Sequence, residues 1–188
     1  RYDQGQVRAD QVEADTVVLS GGVWTRDLAA QVGLSLPLVA GKGYSVTLDH
    51  PAALPEVCSI LVEGRVAVTP MGGRLRVGGT MEIGGDEGTV DRRRVTSIAD
   101  SFCEFVPGFE RTGFENLPVW HGLRPCSPDG LPYIGRHGRY VIAAGHAMMG
   151  LSLAPGTGMI VRDLVEGRAP TVNLEAFSPA RFASSRSR

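Results

Sequence analysis

Residues 120–135 restrict the backbone more than any other part of this chain. Pro125, Pro128 and Pro132 lock φ, while Gly122, Gly130 and Gly135 admit turns that other residues resist. One arginine, Arg124, sits among them. A segment so constrained around one charge holds that charge in a set place. Next come an apolar run over 140–144, the pair Gly145-His146, and a helical pattern over 151–166 that Gly167 stops. A strand running through a Gly-rich turn into a helix is how α/β folds present a helix N-terminus to a ligand.

The earlier part of the chain is read the same way. Residues 15–19 form a short β-branched, apolar run, a buried strand ended by Gly21-Gly22. Thr25 is placed to cap a helix over 26–31 that Gly33 stops. Tyr44, Val46 and Leu48 alternate as in a strand. Antiparallel strands are expected over 59–62, 65–70 and 74–80, joined at Glu63-Gly64 and Gly72-Gly73. Val95, Ile98, Ala99, Phe102, Phe105 and Val106 recur at helical spacing over 91–106, ended by Pro107-Gly108. A further strand is expected over 114–123, a lead-in hairpin over 4–13, and a tail from 177, disordered over 184–188. The result is a mixed α/β (α+β) chain. Residues 1–35 and 121–178 complete one α/β layer, 36–120 form a mixed, mostly antiparallel sheet with one long helix, and 179–188 are a flexible tail.

Composition removes several function classes. A net charge of −1 gives no basic field for nucleic acid and no polybasic membrane patch. Arg92-Arg93-Arg94 reads as a solvated helix start. No apolar run approaches the ~18 residues of a transmembrane helix, which leaves only peripheral membrane contact open. The cysteines, Cys58, Cys103 and Cys126, are odd in number and form no CxxC pair, so neither a disulfide framework nor a zinc site is indicated. A reducing, cytoplasmic location fits, with peripheral attachment to an inner membrane left open. Cys103 is expected in the core. His146 has no second histidine at ligand spacing, so no metal site is expected. Asp129 is expected to close the loop around Arg124. No G-x-S-x-G elbow supports a serine hydrolase, and no catalytic acid–base pair stands out.

Five segments, in order, carry a resemblance. Residues 14–25 are similar to an "AD-x-VV-x-A-x-G-x-W" strand and 36–45 to "LP-x-x-P-x-KGY". Leu75, Gly78, Thr80 and Glu82 match "L-x-x-G-x-T-x-E". Gly122-Leu123-Arg124-Pro125 matches "GLRP", and the Gly145-His146 turn with its helix completes the set. Over 14–165 the chain resembles the C-terminal part of the FAD-dependent amine and amino-acid oxidoreductases, which include glycine oxidase, D-amino-acid oxidase and bacterial D-amino-acid dehydrogenase. That family opens on a GxGxxG turn. Gly41-Lys42-Gly43 and Gly156-Thr157-Gly158 begin that pattern but lack its last glycine. The expectation is the C-terminal portion of a Rossmann-like FAD-binding fold with an inserted substrate domain. An N-terminal segment or subunit outside this chain would hold the pyrophosphate.

The resemblance implies oxidation of an amino acid, with D-amino acids favoured, to an imino acid that water hydrolyses to a 2-oxo acid and ammonia. Hydride would pass from Cα to flavin N5 with no protein base. It implies that Arg124 grips the substrate carboxylate, with Met81 and Met148 lining the pocket. In glycine oxidase an arginine stands where this chain has Met148, so the side-chain pocket here is expected to be more apolar. FAD contacts are implied for Gly22, Trp24, Gly122, Leu123, Gly145, His146, Gly150, Leu151 and Ser152. From the residues alone, Arg124 could equally tie down its own Pro-rich loop, Trp24 could pack between layers, and Lys42 could face the flavin or lie on the surface. Covalent flavin attachment at Cys126 is not favoured. Two rivals remain. One is the same scaffold acting on sarcosine, proline, an opine or another amine. The other is a non-catalytic subunit whose partner carries the cofactor.

Overall fold

A computed structural model describes residues 12–85 and 88–183, with the backbone of β1 (Tyr2–Asp3) and β2 (Gln6–Val7), which pair antiparallel. The rest of the lead-in hairpin expected over 4–13, and the end expected to be disordered over 184–188, lie outside the described residues.

The larger layer is a five-stranded sheet in the order β5-β6-β7-β4-β8. Its strands are β4 (Val39–Leu48), β5 (Ser59–Leu61), β6 (Val66–Met71), β7 (Arg74–Ile83) and β8 (Val119–Cys126). Every pairing is antiparallel, so the expected mixed sheet is wholly antiparallel. The β6–β7 hairpin turns at Gly72 and Gly73, with φ of 56° and 84°. A two-residue turn with positive φ at both positions matches the twist of its strands, and glycine reaches it without strain. β4 is buried continuously from Gly41 to Val46, because β7 and β8 flank it and both its faces are covered. The alternation seen at Tyr44, Val46 and Leu48 marks only the face that meets α2 (Arg92–Phe105).

That helix starts where Asp91 accepts a hydrogen bond from the Arg93 amide at 2.9 Å, an N-cap that satisfies one free donor of the first turn. Ile98, Ala99 and Phe102 face the sheet and pack on Tyr44, Val46, Val66, Val68, Leu75 and Val77. Phe102 meets Phe109 and Phe114 edge-on, with ring centroids 4.9 and 5.5 Å apart. Cys103, expected in the core, is only half-buried at the rim of this cluster. The strand expected over 114–123 begins later. Arg111–Phe114 is a 3-10 turn, and Asn116 at φ 60° and Pro118 keep the chain out of the ladder until Val119. β8 then continues to Cys126, past the expected boundary at 120. Proline is tolerated at Pro125 because β8 is an edge strand, so a missing ladder donor leaves nothing unpaired.

The smaller layer has the order β3-β10-β9, from β3 (Val17–Leu19), β9 (Tyr133–His137) and β10 (Tyr140–Ala144). β3 and β10 run parallel, and β9 and β10 form a hairpin where the proline content suggests constrained loop. α1 (Thr25–Ala30) packs on β3, and α3 (Gly150–Val165) on β9 and β10. Thr25, expected as a cap, is the first residue of α1 and is fully buried. The core of this layer joins Leu19, Ala29, Leu34, Leu36, Leu38, Tyr133, Ile142 and Ala144. The segment after 177 is held down as far as Ala183. Arg181 binds Asp129 at 2.8 and 2.9 Å and stacks on Tyr133 at 3.9 Å.

Phe102→Ala removes the ring at the centre of the larger core. It is expected to cost about 3–5 kcal/mol, the range for a phenylalanine truncated where neighbours cannot close the void. Urea denaturation of the two proteins measures this.

Candidate functional site

The site takes shape on the face of the larger sheet opposite α2. Side chains alternate across a strand, so Gly41, Gly43 and Ser45 of β4 share this face with Arg124, Gly122 and Trp120 of β8, their register partners. Two of the three β4 positions therefore carry no side chain. A Cβ on Gly43 would overlap the Arg124 guanidinium, which lies directly on the β4 backbone. A Cβ on Gly41 would come within 2.7 Å of both Met81 Sδ and Cys126 Sγ. A Cβ on Gly122 would run into the Trp120 ring. The glycines let long side chains from neighbouring strands lie flat across the sheet.

A bulge in β7 completes the arrangement. Glu82 pairs with Lys42 and Gly79 with Tyr44, so Thr80 and Met81 together oppose the single residue Gly43. Thr80 takes φ 59°, which is strained for a β-branched residue. The extra residue inverts the facing of Met81 and Glu82. Met81 turns into the cleft, its Sδ 3.8 Å from Cys126 Sγ. Glu82 turns to the α2 side, where it accepts the Tyr44 hydroxyl in a short hydrogen bond and lies 3.5 Å from Lys42 Nζ and 3.7 Å from Arg94 Nε. The Tyr44 hydroxyl, chiefly, holds the Glu82 carboxyl below its usual range. Lys42 is thus neither at the surface nor on the Arg124 face: its ammonium is buried and donates to the Thr89 carbonyl at 2.7 Å.

A cleft of about 830 Å³ is lined by Arg124, Met81 and Met148 together, and it continues round to the first turns of α2, where Arg94 and Ile98 line it as well. Arg124 Nη1 is buried and has no hydrogen-bond partner among the described residues. A buried guanidinium donor without an acceptor is costly, and this one points to an acceptor that the described residues do not supply. Met148 is 66% exposed, while Met81 is partly covered.

Of the residues expected to meet a cofactor, Gly22 and Trp24 follow β3, and Gly145, His146, Gly150, Leu151 and Ser152 follow β10, at the carboxyl ends of these two parallel strands, while Gly122 and Leu123 lie within β8. The 3-10 turn Gly22–Trp24 follows β3 and packs against β8. Gly22 has φ 62° and open space around its α-carbon, and Trp24 is 61% exposed, so it does not fill the space between layers. After β10, Gly145 takes φ 87° against Tyr133 and Leu38. His146 bridges to Cys126, and its Nε2 lies 3.0 Å from Thr157 Oγ1. Burial lowers the His146 pKa, so the ring is neutral at pH 7. Ala147, at φ 47°, donates to the Pro125 carbonyl at 3.0 Å and links the two segments. Gly150, Leu151 and Ser152 form the first turn of α3, which no side chain caps, and Leu151 is 93% exposed. Leu123 pairs with Lys42, so its side chain projects from the face opposite Arg124.

Three features have no clear signal in the sequence. The Thr80-Met81 bulge leaves no signature in one chain read alone. Arg76, whose Nε donates to Ser45 Oγ at 3.0 Å and whose guanidinium lies 4.8 Å over the Trp120 ring, looks in sequence like any strand arginine. Arg181 looks like part of a loose tail. Asp129, expected to close the loop near Arg124, accepts the Leu131 amide at 3.1 Å and also holds Arg181.

Among the described residues no group of side chains could hold a metal ion, and no helix is long and apolar enough to cross a membrane. The chain belongs to the FAD-dependent oxidoreductase family, whose sequence model matches residues 1–164. It is similar to a D-amino acid dehydrogenase of Bradyrhizobium diazoefficiens, at 34% identity over 180 residues, 93% of this chain and 42% of that protein. A D-amino acid dehydrogenase of Methylobacterium nodulans is 37% identical over 194 residues, 97% of this chain and 45% of that protein. The crystal structure of glycine oxidase from Geobacillus kaustophilus superposes with a TM-score of 0.78 at 34% identity, covering 89% of this chain and 46% of that one. The chain therefore spans less than half the length of these relatives.

The Asp129–Arg181 pair predicts a pH dependence. Hydrogen bonds from Arg181 hold the Asp129 carboxyl well below the usual carboxylate range. Its folded pKa is depressed, so its stabilisation is present above an unfolded pKa of about 3.9 and is lost as pH falls below it. In Arg181→Met the fall in unfolding free energy from pH 6 to pH 3 is expected to be smaller than in the parent, measured by denaturant titration across that range.

Proposed function

We propose that this chain is the substrate-gripping and flavin-flanking portion of an enzyme that oxidises the CH–NH2 group of an amino acid, with D-amino acids favoured. The imino acid so formed would hydrolyse to a 2-oxo acid and ammonia. The observation that carries the reading is the unpartnered, buried Nη1 of Arg124 in the cleft shared with Met81 and Met148. A guanidinium fork matches a carboxylate through two parallel, charge-assisted hydrogen bonds. The α-carboxylate would supply the acceptor that Nη1 lacks. Arg124 would then fix the orientation of Cα, with the two methionines forming the apolar lining of the pocket beside it.

The residues beside the cleft suit FAD. When bound, FAD supplies the hydride acceptor. The uncapped first turn of α3, Gly150 to Ser152, offers free amides and the positive end of a helix dipole to a negatively charged ring edge. Gly22 and Gly145 let the backbone approach closely, Trp24 flanks the same edge, and Gly122, Leu123 and His146 belong to the segments that meet there. We assign 1–35 and 121–178 to the cofactor layer and 36–120 to the substrate layer, except that 121–126 complete β8 of the larger sheet, and 179–188 to a tail held down as far as Ala183. Sequence outside this chain would complete the cofactor layer and hold the pyrophosphate. The apolar surface left at Val18, Leu151, Leu153 and Met159 supports this, as does the length of the relatives. The free cysteines suit a reducing, cytoplasmic setting.

Two outcomes test the reading. The isolated chain is expected to bind FAD weakly, because the Gly-rich pyrophosphate turn is not among its segments. Submicromolar affinity in a fluorescence titration would contradict this. In the complete enzyme, Arg124→Ala is expected to raise KM for amino acids and lower kcat, a combined loss of roughly 2–5 kcal/mol, as when one partner of a buried charge pair is removed. Arg124→Lys recovers only part. Flavin content stays near that of the parent, and an amine without a carboxylate is turned over much as before. Equal losses on both substrates would instead assign Arg124 to anchoring its loop.

A further inference from the structure

Arg124 is not the only cation aimed into the cleft. Arg76 lines it too, on the same face of the sheet. The Arg124 guanidinium lies on Gly43, while Arg76 Nε is held by Ser45 Oγ at 3.0 Å. Gly43 and Ser45 are successive same-face positions of one strand, so the two anchor points are roughly 7 Å apart at ~3.4 Å per residue. Trp120 occupies the interval: its ring lies over Gly122 at one end and under the Arg76 guanidinium, 4.8 Å away, at the other. Arg76 is therefore placed from below by an aromatic face and from the side by a hydroxyl, which leaves its outer edge toward the cleft.

The charge balance is one-sided. Among the described residues the charged groups that line the cleft are arginines: Arg76 and Arg124 on the open sheet face, with Arg65 and, from α2, Arg94 at its edge. Arg94 is engaged by Glu82 and Asp91. Among the described residues, Arg76 and Arg124 have no carboxylate partner. Two guanidinium groups held a short distance apart on a rigid sheet, without a counter-charge of their own, attract a ligand that brings two negative charges.

We propose that Arg76 is a specificity-determining residue and that the enzyme's preferred substrate is an amino acid with a carboxylate in its side chain. This rests on Arg124 as the holder of the α-carboxylate. Arg76 takes the distal carboxylate, and Trp120 forms the floor between the two arginines. A neutral side chain of the same shape would leave Arg76 unanswered and lose a charge-assisted contact. That is a discrimination on the order of 10- to 100-fold.

The test compares D-glutamate with D-glutamine, and D-aspartate with D-asparagine, as substrates of the complete flavoenzyme. D-alanine and an amine without a carboxylate complete the panel. The parent is expected to favour each acid over its amide by at least about 10-fold in kcat/KM. Arg76→Met should collapse that ratio toward one, and Arg76→Lys should restore part of it. A second readout needs no turnover: perturbation of the flavin absorption spectrum on titration with a 2-oxo diacid and with a 2-oxo monoacid. The parent should bind the diacid more tightly, and Arg76→Met should lose that difference. If the parent oxidises D-alanine and D-glutamine as well as D-glutamate, or if Arg76→Met keeps the acid preference, this proposal is overturned while the amino-acid reading stands. If amines without a carboxylate are turned over as well as amino acids, the reading of Arg124 falls and this proposal with it.

Discussion

The site depends on a strip of β4 that carries no side chain on one face. Gly41 and Gly43 leave the backbone bare in the middle of a five-stranded sheet, and the Arg124 guanidinium lies in the room they leave. A side chain at either position would lift Arg124 or Met81 off the sheet. Glycine within a strand weakens it, since it adds backbone entropy and packs nothing. Here the strand is compensated by pairing on both edges and by the apolar core on its other face, where Tyr44, Val46 and Leu48 meet α2. One face of β4 holds the layer together, and the other is kept bare of side chains at Gly41 and Gly43 so that Arg124 and Met81 can lie on it.

The bulge opposite Gly43 turns that emptiness into a shaped cleft. By adding one residue to β7 it sends Met81 to the open face and Glu82 to the α2 side. The strain at Thr80 is maintained by ladder pairs on either side of the bulge and by the Lys42–Glu82–Tyr44 network behind it. Burial by itself would lower the Lys42 pKa. Hydrogen bonding to Tyr44 and the nearby Glu82 carboxylate raise it instead, so the ammonium stays charged under the sheet. On the other side, the strand-end turns at Gly22 and Gly145 meet β8. Ala147 ties to Pro125, so the expected cofactor edge and the arginine share one framework.

Much of this is legible in the sequence. Proline and glycine spacing around Arg124 marks a held charge, and helical periodicity over 91–106 gives α2 within a residue or two at each end. The strand–turn–helix at 140–166 stands almost as the pattern predicts. What the sequence hides is non-local. The Pro-rich segment reads as loop because proline favours loops, yet it is an edge strand to Cys126 and a hairpin strand from Tyr133, where the ladder needs few donors. The Thr80 bulge exists only in relation to Gly43 across the ladder. Arg76 gains its meaning from Trp120 and Ser45 on strands far away in sequence, and Arg181 from Asp129. Local pattern marks elements well, but it does not show which side chains a sheet brings face to face.

The measurement that bears most directly on the role of the bare strip is the activity of Gly43→Ala in the complete flavoenzyme. The substitution leaves Arg124 in the chain and adds one methyl group where the guanidinium rests. Displacement of that group by about an ångström is expected to cut kcat/KM for amino acids by roughly 100-fold, with flavin content preserved. If Gly43→Ala retains the parent's kcat/KM, the bare strip of β4 is not what positions Arg124, and the site described here is wrong in its central element.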